Sequence, residues 1–150
     1  MRRNLEVEFI SAEETMDLRM RVLRPSQARE RCLYAEDSVA STFHLGIRIG
    51  GALVCVGTLI EQDQPLIISE IGLSYRLRGM ATDPQFQRQG LGSLVVRKAE
   101  EELVRRQIRL LWFNARVSAE AFYGKLGYQS QDRIFAFEDI GPHKVMYKFF

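Results

Sequence analysis

QRQGLG, at residues 87–92, lies between a β-rich run and an amphipathic helical pattern. Gly90 and Gly92 let the backbone turn tightly and approach a ligand closely, because neither carries a Cβ. A helix that begins in this loop points its unpaired N–H groups and the positive end of its dipole at the loop. The pattern therefore predicts a phosphate or pyrophosphate site, to which Arg88 can add a charge-assisted bond. The alternative is a plain turn in which glycine serves only steric needs.

Two other phosphate-binding motifs are excluded by the residues of this loop. A Walker loop needs Gly-Lys followed by Ser or Thr, and no such run is present here. A dinucleotide-binding fingerprint needs a third glycine, which the stretch lacks. The strand, glycine loop and helix therefore belong to neither of these two motif classes.

Hydrophobic periodicity on both sides of the loop predicts an α/β chain. The helix after the loop runs from about Gly90 to Gln107, with an apolar stripe that includes Leu91, Val95 and Leu103. Strands before the loop and after this helix predict a parallel pair inside a mixed sheet. About seven strands and four helices are expected. The expected strands span residues 5–10, 42–49, 52–60, 74–82, 109–114, 128–137 and 144–149.

Three local signals predict single features of this architecture. Ser11 and Glu14 form a capping box at the start of the first helix. Gly50-Gly51 favours a two-residue hairpin turn between two strands. Gly79, inside the strand before the loop, indicates a bulge or a close approach of another group to the backbone.

Composition predicts one compact domain over residues 1–150. With 46% hydrophobic and 27% charged residues, the chain lies in the ordinary globular range. Its net charge of +2 comes from 21 basic and 19 acidic residues that are interspersed along the chain, so no nucleic-acid partner is expected. No apolar run approaches the ~20 residues that span a bilayer, and no signal-peptide pattern follows Arg2 and Arg3. A cytoplasmic protein without a membrane partner is therefore expected.

Cysteine and histidine usage argues against a metal site. The chain has two of each: Cys32, Cys55, His44 and His143. No pair among them has the spacing of metal ligands, so no metal is predicted. Two isolated thiols are typical of a reducing compartment.

A second block lies downstream of the loop and reads Asn114-Ala-Arg-x-Ser-Ala-x-Ala-Phe-Tyr-Gly-Lys-Leu-Gly-Tyr128. Together with the Gln-x-x-Gly-x-Gly pattern of residues 87–92, it resembles the GNAT superfamily of CoA-dependent N-acyltransferases. The motif match covers residues 75–128, and the strand order agrees over the whole chain. The tail Gly141-Pro142-His143 and the run from Arg76 to Ala81 resemble an ElaA-like branch.

This resemblance implies the acyl-CoA N-acyltransferase fold, with a mixed sheet splayed into a V, and acetyl-CoA as co-substrate. Backbone groups of Met80, Ala81 and Thr82 would bind the pantetheine arm, and N–H groups from Gln87 to Gly92 would bind the pyrophosphate. Asn114 would hydrogen-bond the arm. The residues implied in cofactor binding are Met80, Ala81, Thr82, Gln87, Arg88, Gln89, Gly90, Leu91, Gly92, Ser93, Asn114, Phe122 and Tyr123.

Tyr123 is implied as the catalytic acid. When an amine attacks a thioester, the leaving thiolate needs a proton, which a tyrosine hydroxyl can supply. Positioning can supply much of the remaining acceleration. The alternative is that Phe122 and Tyr123 are only core aromatics of an amphipathic helix. A covalent cysteine intermediate is not expected, because neither cysteine lies in a motif block.

The sequence departs from the family pattern at the general base. Many members carry a glutamate on the strand before the loop, where this chain has Arg76, which cannot accept a proton at neutral pH. Glu70, Glu36 and His143 are alternative bases, and each also fits a structural or surface role. His44, on a predicted strand, fits the role less well. A water chain, or no base at all, is the other alternative.

Alternation along the strand before the loop places Arg76, Arg78 and Met80 on one face and Leu77 on the other. Arginine forks match carboxylates and phosphates, so Arg76 and Arg78, together with His143, are candidate acceptor-binding residues. The alternative is an exposed sheet face whose arginines pair with acids.

The sequence thus predicts an N-acetyltransferase that moves an acetyl group from acetyl-CoA to a primary amine by direct attack. The acceptor is a small molecule or a peptide. The competing hypothesis is an acyl-CoA sensor or interaction module that kept the fold and lost the reaction, and Arg76 is the argument for it. The resemblance is also compatible with a homodimer.

Overall fold

The structure is a computed structural model that describes residues 5–67, 72–137 and 141–150, without the side chain of Phe137. The strands are β1 Val7–Ile10, β2 Phe43–Ile49, β3 Ala52–Glu61, β4 Tyr75–Thr82, β5 Leu110–Arg116, β6 Gln129–Phe137 and β7 Gly141–Phe149. The α-helices are α1 Ala12–Leu18, α2 Leu91–Arg105 and α3 Glu120–Lys125.

The strands form one seven-stranded mixed sheet in the order β1-β2-β3-β4-β5-β7-β6. β4 and β5 are parallel, with Tyr75 opposite Leu111 and Arg76 opposite Trp112. The pairs β1–β2, β2–β3, β5–β7 and β6–β7 are antiparallel. The predicted α/β class, the seven strands and the central parallel pair are confirmed.

The helices differ in number from the expected four. The described residues contain three α-helices, and the segment after α1 forms shorter turns instead of a second helix. A π-helical turn covers Arg19–Leu23, and 3-10 turns cover Arg29–Cys32 and Ala35–Ser38. Pro25 stops the helical run, and the polar stretch behind it has no apolar stripe with which to pack a longer helix.

The first helix begins as its sequence predicts. The Ser11 hydroxyl accepts the Glu14 N–H at 3.2 Å, and the Glu14 carboxylate accepts the Ser11 N–H at 2.9 Å. This reciprocal pair satisfies two backbone donors of the helix start and fixes where α1 leaves β1.

The chain divides into two compact units. The first comprises the residues up to Ile60 together with Leu77–Glu102, and the second comprises Glu61–Arg76 with Leu103–Phe150. In the first unit, buried Leu18, Val56 and Ala81 pack with the half-buried side chains of Ile10, Val22, Leu23 and Leu53. The core of the second unit includes Leu110, Leu111, Phe113, Tyr128, Val145 and Met146. The single domain over residues 1–150 stays a prediction.

β4 contains the bulge that Gly79 indicates. Its φ is +67°, and a Cβ at this residue would lie 2.9 Å from the Tyr34 hydroxyl. The predicted face of Met80, however, is wrong. A Cβ on Gly57 would lie 3.4 Å from Leu77 Cδ1 and 3.6 Å from Met80 Cε, so both side chains point to the same side of the sheet. The bulge inserts a residue in the left-handed region, which shifts the alternation after Arg78.

The described ranges contain neither a membrane-spanning helix nor a metal-binding cluster. None of their helices is long and apolar enough to cross a bilayer. Their His, Cys, Asp and Glu side chains form no group of three or more that could hold a metal ion.

Candidate functional site

The glycine loop lies between β4 and α2, as predicted. A short 3-10 turn, Pro84–Phe86, follows β4, and α2 begins at Leu91 directly after Gly90. Two loop residues are left-handed: Arg88 with φ +64° and Gly90 with φ +81°. A non-glycine residue in this region is uncommon and concentrates at ligand sites. The left-handed backbone of Arg88 was not predicted, because arginine carries no local signal for it.

The first four residues of this loop are open to solvent. All four residues from Gln87 to Gly90 are exposed, and a Cβ on Gly90 would meet nothing within 4 Å. The first N–H groups of α2, at Leu91, Gly92 and Ser93, have no acceptor within the helix. Left-handed residues directly before a helix N-terminus can turn successive N–H groups toward one ligand, an arrangement of the kind that binds phosphate.

The end of β4 is tied to this loop. The Gln87 side-chain amide donates to the Thr82 carbonyl at 3.2 Å. Two side chains of this strand end contact other residues of the first unit. Ala81 is buried in its core, and the Thr82 hydroxyl donates to Cys55 Sγ at 3.3 Å. The N–H of Asp83 donates to the Val54 carbonyl at 2.8 Å. The side chains of Ala81 and Thr82 are therefore not available to a ligand, which leaves the strand backbone as the candidate there.

Cys55 is unsuited to nucleophilic catalysis. Burial raises the pKa of its thiol, although the hydrogen bond from Thr82 opposes this effect. A thiol with a raised pKa stays protonated and unreactive at neutral pH. This agrees with the prediction that no covalent cysteine intermediate forms.

A buried polar cluster occupies one face of the first unit's sheet. Arg19 is 1% exposed and binds the Asp37 carboxylate through two hydrogen bonds of 2.7 and 2.9 Å. It also donates to the Thr58 hydroxyl at 2.7 Å and to the Cys32 carbonyl at 3.0 Å, and it lies 3.9 Å from the centre of the Tyr34 ring. This cluster was not predicted from the sequence. The available signal was that Arg19 stands three residues after buried Met16, on the apolar stripe of the first helix.

His44 belongs to the same cluster. Its Nδ1 lies 2.8 Å from the Thr58 hydroxyl. Burial lowers the pKa of the His44 imidazole, Asp37 opposes that shift and Arg19 adds to it. His44 is therefore neutral at neutral pH and serves as a hydrogen-bonding partner of Thr58 inside the fold.

The two arginines of β4 have different surroundings. Arg76, in the second unit, donates to Gln62 Oε1 at 3.4 Å and lies 5.2 Å from the Trp112 ring centre. Arg78, in the first unit, lies 4.0 Å from the centre of the Tyr34 ring. The position where many family members have glutamate thus holds a cation already engaged by an amide and an indole.

Of the remaining candidate bases, the structure shows the surroundings of His143 and Glu36. His143 is buried, and its Nδ1 lies 2.8 Å from the Gly141 carbonyl. Because a carbonyl only accepts, Nδ1 carries the proton and Nε2 is the basic nitrogen of the neutral ring. Glu36 is half-buried in the turn Ala35–Ser38. Glu70 lies outside the described residues.

The second sequence block forms β5, α3 and the turn between them. Tyr123 is half-buried on α3, with its ring 4.3 Å from Phe113 and 4.9 Å from Phe122 between centres. Phe122 itself is 42% exposed. If α3 served only as part of the core, both aromatic side chains would be buried. Phe122 is exposed and Tyr123 is half-buried, so both are accessible to a ligand.

Asn114 lies on β5, half-buried and opposite Val145 of β7. It lines a cavity of about 270 Å³ in the second unit. The other lining residues are Gln64, Pro65, Leu66, Arg133, Phe135 and Val145. Asn114 and Arg133 are the polar strand residues that line this cavity, and Asn114 can donate or accept a hydrogen bond there.

Comparison with known proteins identifies relatives of the whole chain. The model of the acetyltransferase (GNAT) domain matches residues 28–130. The uncharacterized N-acetyltransferase YitI of Bacillus subtilis (strain 168) is 40% identical over 144 residues, which cover 96% of this chain and 95% of that protein.

Solved structures share the fold. Escherichia coli ElaA superposes with a TM-score of 0.74 at 16% identity, over 96% of this chain and 99% of that one. The predicted likeness to ElaA is thus confirmed at the level of fold. An aminoglycoside 6'-N-acetyltransferase complexed with coenzyme A superposes with a TM-score of 0.73 at 14% identity, over 96% of each chain.

A family model that covers more than half of the chain, and a relative of this identity over nearly all of it, establish the family. The chain therefore belongs to the GNAT family of acetyltransferases, enzymes that move an acyl group from acyl-CoA to an amine.

Proposed function

We propose that the protein transfers an acetyl group from acetyl-CoA to a primary amine by direct attack of the amine on the thioester. The observation that carries this proposal is the glycine loop before α2, in which residues 87–90 are exposed and Arg88 and Gly90 are left-handed. Such a loop suits the pyrophosphate of CoA and offers neither a Walker lysine nor a third glycine for other nucleotides. Reduced, free Cys32 and Cys55 support a cytoplasmic location as part of the proposal.

The cofactor contacts in this proposal are mainly backbone groups. N–H groups from Gln87 to Ser93 hold the pyrophosphate, and Arg88 adds a charge from its exposed side chain. The backbone of Met80, Ala81 and Thr82 binds the pantetheine arm in the manner of an added strand. The support for this role is that the Ala81 and Thr82 side chains are already engaged elsewhere.

Three residues of the second block have side-chain roles in the proposal. Asn114 hydrogen-bonds the cofactor arm, Phe122 packs on it, and Tyr123 gives its proton to the departing thiolate. The exposure of Phe122 and the half-buried hydroxyl-bearing ring of Tyr123 support these roles. The amine then attacks in its neutral form and loses its extra proton to water or to a base such as His143. A homodimer stays a prediction.

The second candidate function is an acyl-CoA-binding module without turnover. Arg76 favours it, because a guanidinium replaces the usual glutamate base and is held by Gln62 and Trp112. Release of free CoA thiol from acetyl-CoA, measured across a panel of primary amines, separates the two. An enzyme releases the thiol in proportion to one or more amines, whereas a binding module does not.

CoA is expected to raise the thermal unfolding midpoint, whereas ATP and NAD are not. A ligand at a hundredfold excess over its dissociation constant adds ~2.7 kcal/mol to the free energy of unfolding. Scanning fluorimetry with millimolar CoA, ATP and NAD measures the effect. The cofactor assignment is wrong if CoA produces no shift.

Gly90→Val is expected to weaken CoA binding tenfold or more. Two costs combine, because a β-branched residue resists φ +81° and its methyl groups fill the space in front of the N–H groups. Gly51→Val is the matched control, since Gly51 has φ +84° and equally open surroundings in the hairpin turn. Both variants should lose ~1–2 kcal/mol of stability from strain, but calorimetry should show weaker CoA binding only for Gly90→Val. Equal CoA affinities for the two variants would mean that the loop is only a turn.

A further inference from the structure

Arg78 has no counter-charge within the described part of the chain. Its side chain is half-buried on β4, next to the bulge at Gly79, and its guanidinium lies on the Tyr34 ring. Among the residues that the structure describes, it has no ion pair or hydrogen bond. Partial burial of a charge without a partner costs stability, and a ligand that supplies the counter-charge would offset that cost.

The groups around Arg78 cannot neutralise it. Arg19 lies on the same Tyr34 ring, but the Asp37 carboxylate takes up its charge through two hydrogen bonds. His44 is neutral because burial lowers its pKa. Two guanidinium groups and one carboxylate therefore leave a single positive charge, and it is the charge of Arg78.

Arg78 is also held in place. The Tyr34 ring supports the flat face of its guanidinium, and such stacking leaves the N–H groups at the edge for a planar anion. The N–H of Tyr34 in turn donates to Asp37 at 3.0 Å, so the buried ion pair fixes the ring. At the bulge, the Tyr34 hydroxyl approaches Gly79 so closely that a Cβ there would lie only 2.9 Å away.

Arg78 lies on the same strand as the backbone segment that is proposed to hold the pantetheine arm. Met80, two residues further along the strand, begins the backbone segment proposed to hold the pantetheine arm. An anion bound by Arg78 would thus belong to the molecule that approaches the thioester, and CoA's own phosphates are assigned to the loop 87–92.

We propose that Arg78, stacked on Tyr34, binds a carboxylate of the acceptor, so that the acceptor is a primary amine that also carries a free carboxylate, such as an amino acid or a short peptide. A monoanion matches the single positive charge of the cluster, whereas a phosphate dianion would need a second cation. The inference rests on the proposed acyl transfer and names its substrate class.

The test compares acids with their amides. Wild-type protein is assayed with acetyl-CoA and a panel of amino acids and dipeptides, each beside its C-terminal amide, and with aminoalkyl phosphates. The amide has the less basic amine, of which more is neutral at pH 7–8, so a preference for the free acid must come from recognition. We expect a preference of roughly 10- to 100-fold in kcat/KM for the acid, which is the usual effect of one charge-assisted bond.

Three variants locate that preference. Arg78→Met should abolish the preference for the free acid by lowering kcat/KM for the acid alone. The kcat/KM for the amide and the KM of acetyl-CoA should stay unchanged. Arg78→Lys should keep part of the preference, because the charge remains and the fork is lost. Arg97→Met is the control, since Arg97 is an exposed arginine on α2. The thermal midpoint of Arg78→Met should be unchanged or higher, as expected when an unneutralised charge leaves a half-buried position.

Several results would overturn the inference. One is that the wild type has equal kcat/KM values for the acids and their amides. The same holds if Arg78→Met lowers kcat/KM equally for both. Another is a preference for the aminoalkyl phosphates. A third is that acetyl-CoA stabilises the protein while no carboxylate-bearing amine is acetylated. Failure of acetyl-CoA to bind is a different outcome, visible before any acceptor is added, and it would remove the proposed function itself.

Discussion

Tyr123→Phe is expected to slow turnover roughly 10²- to 10⁴-fold, the usual effect of removing a general acid, while CoA affinity stays nearly unchanged. The substitution keeps the ring, and with it the contacts to Phe113 and Phe122. Only the hydroxyl is lost, so the thiolate must leave without a proton donor. Steady-state kinetics with an identified acceptor, beside calorimetry with CoA, measures both quantities. A burst experiment should come first, because the comparison requires that chemistry limits the rate.

Tyr128→Phe is the matched control for this substitution. Tyr128 is 4% exposed and lies in the same aromatic cluster, 4.9 Å from Phe113 between ring centres. Loss of its hydroxyl should cost about 1 kcal/mol of stability and leave turnover unchanged. If Tyr123→Phe keeps turnover within twofold, its hydroxyl is not the acid. If CoA binding collapses instead, the hydroxyl holds the cofactor.

The fold was predictable because its signals are local. The capping box at Ser11, the left-handed turn at Gly50-Gly51 and the periodicity of α2 each involve neighbouring residues, and each has the predicted form. The strand-helix-strand order around residues 87–92 likewise needs only chain order, and it gave the parallel pair of β4 and β5. Sequence reasoning succeeds where the deciding contacts lie within a few residues.

The face of β4 on which Met80 lies was mispredicted, because the left-handed backbone of Gly79 interrupts the alternation of side chains along the strand. Gly79 signalled a bulge, but a bulge changes the face of every residue after it. Met80 consequently lies with Leu77, and Arg78 stays on the side of Tyr34. Local sequence indicated the irregularity without fixing which residue is the extra one.

The polar cluster was missed because its members are distant in sequence. Arg19 meets Asp37 across 18 residues and Thr58 across 39. No periodic pattern links such positions, and the two β4 arginines look alike until their neighbours are known. Burial and pairing, which separate Arg78 from Arg19, are tertiary properties.

Arg19→Met is expected to lower the free energy of unfolding by about 3–5 kcal/mol, the range for breaking a buried ion pair from one side. The variant leaves the Asp37 carboxylate, whose side chain is 9% exposed, without its cation. The Thr58 hydroxyl and the Cys32 carbonyl also lose a donor, and the Tyr34 ring loses its support. Denaturant unfolding of the two proteins, compared at constant m-value, measures the difference.

The control is another arginine on the same turn of helix. Arg21 is 45% exposed and pairs with Asp17 and Asp83, so Arg21→Met should cost about 0–1 kcal/mol. The double variant Arg19→Met/Asp37→Leu should recover part of the loss, because no buried charge is then left unpaired.

The pH dependence separates the ion pair from the packing of the Arg19 side chain. Burial raises the pKa of Asp37, but hydrogen bonds from Arg19 and from the Tyr34 N–H more than offset this, so the pKa is lowered overall. A carboxyl with a lowered pKa in the fold stabilises it above the unfolded pKa and loses that contribution as the pH falls through the folded pKa. Without Arg19, burial dominates and the sign reverses. The stability gap between wild type and Arg19→Met should therefore begin to narrow at the raised Asp37 pKa of the variant, above the ordinary aspartate pKa of about 3.9. It should go on narrowing as the pH falls to the lowered Asp37 pKa of the wild type, whereas a gap that is constant with pH would assign the loss to packing alone.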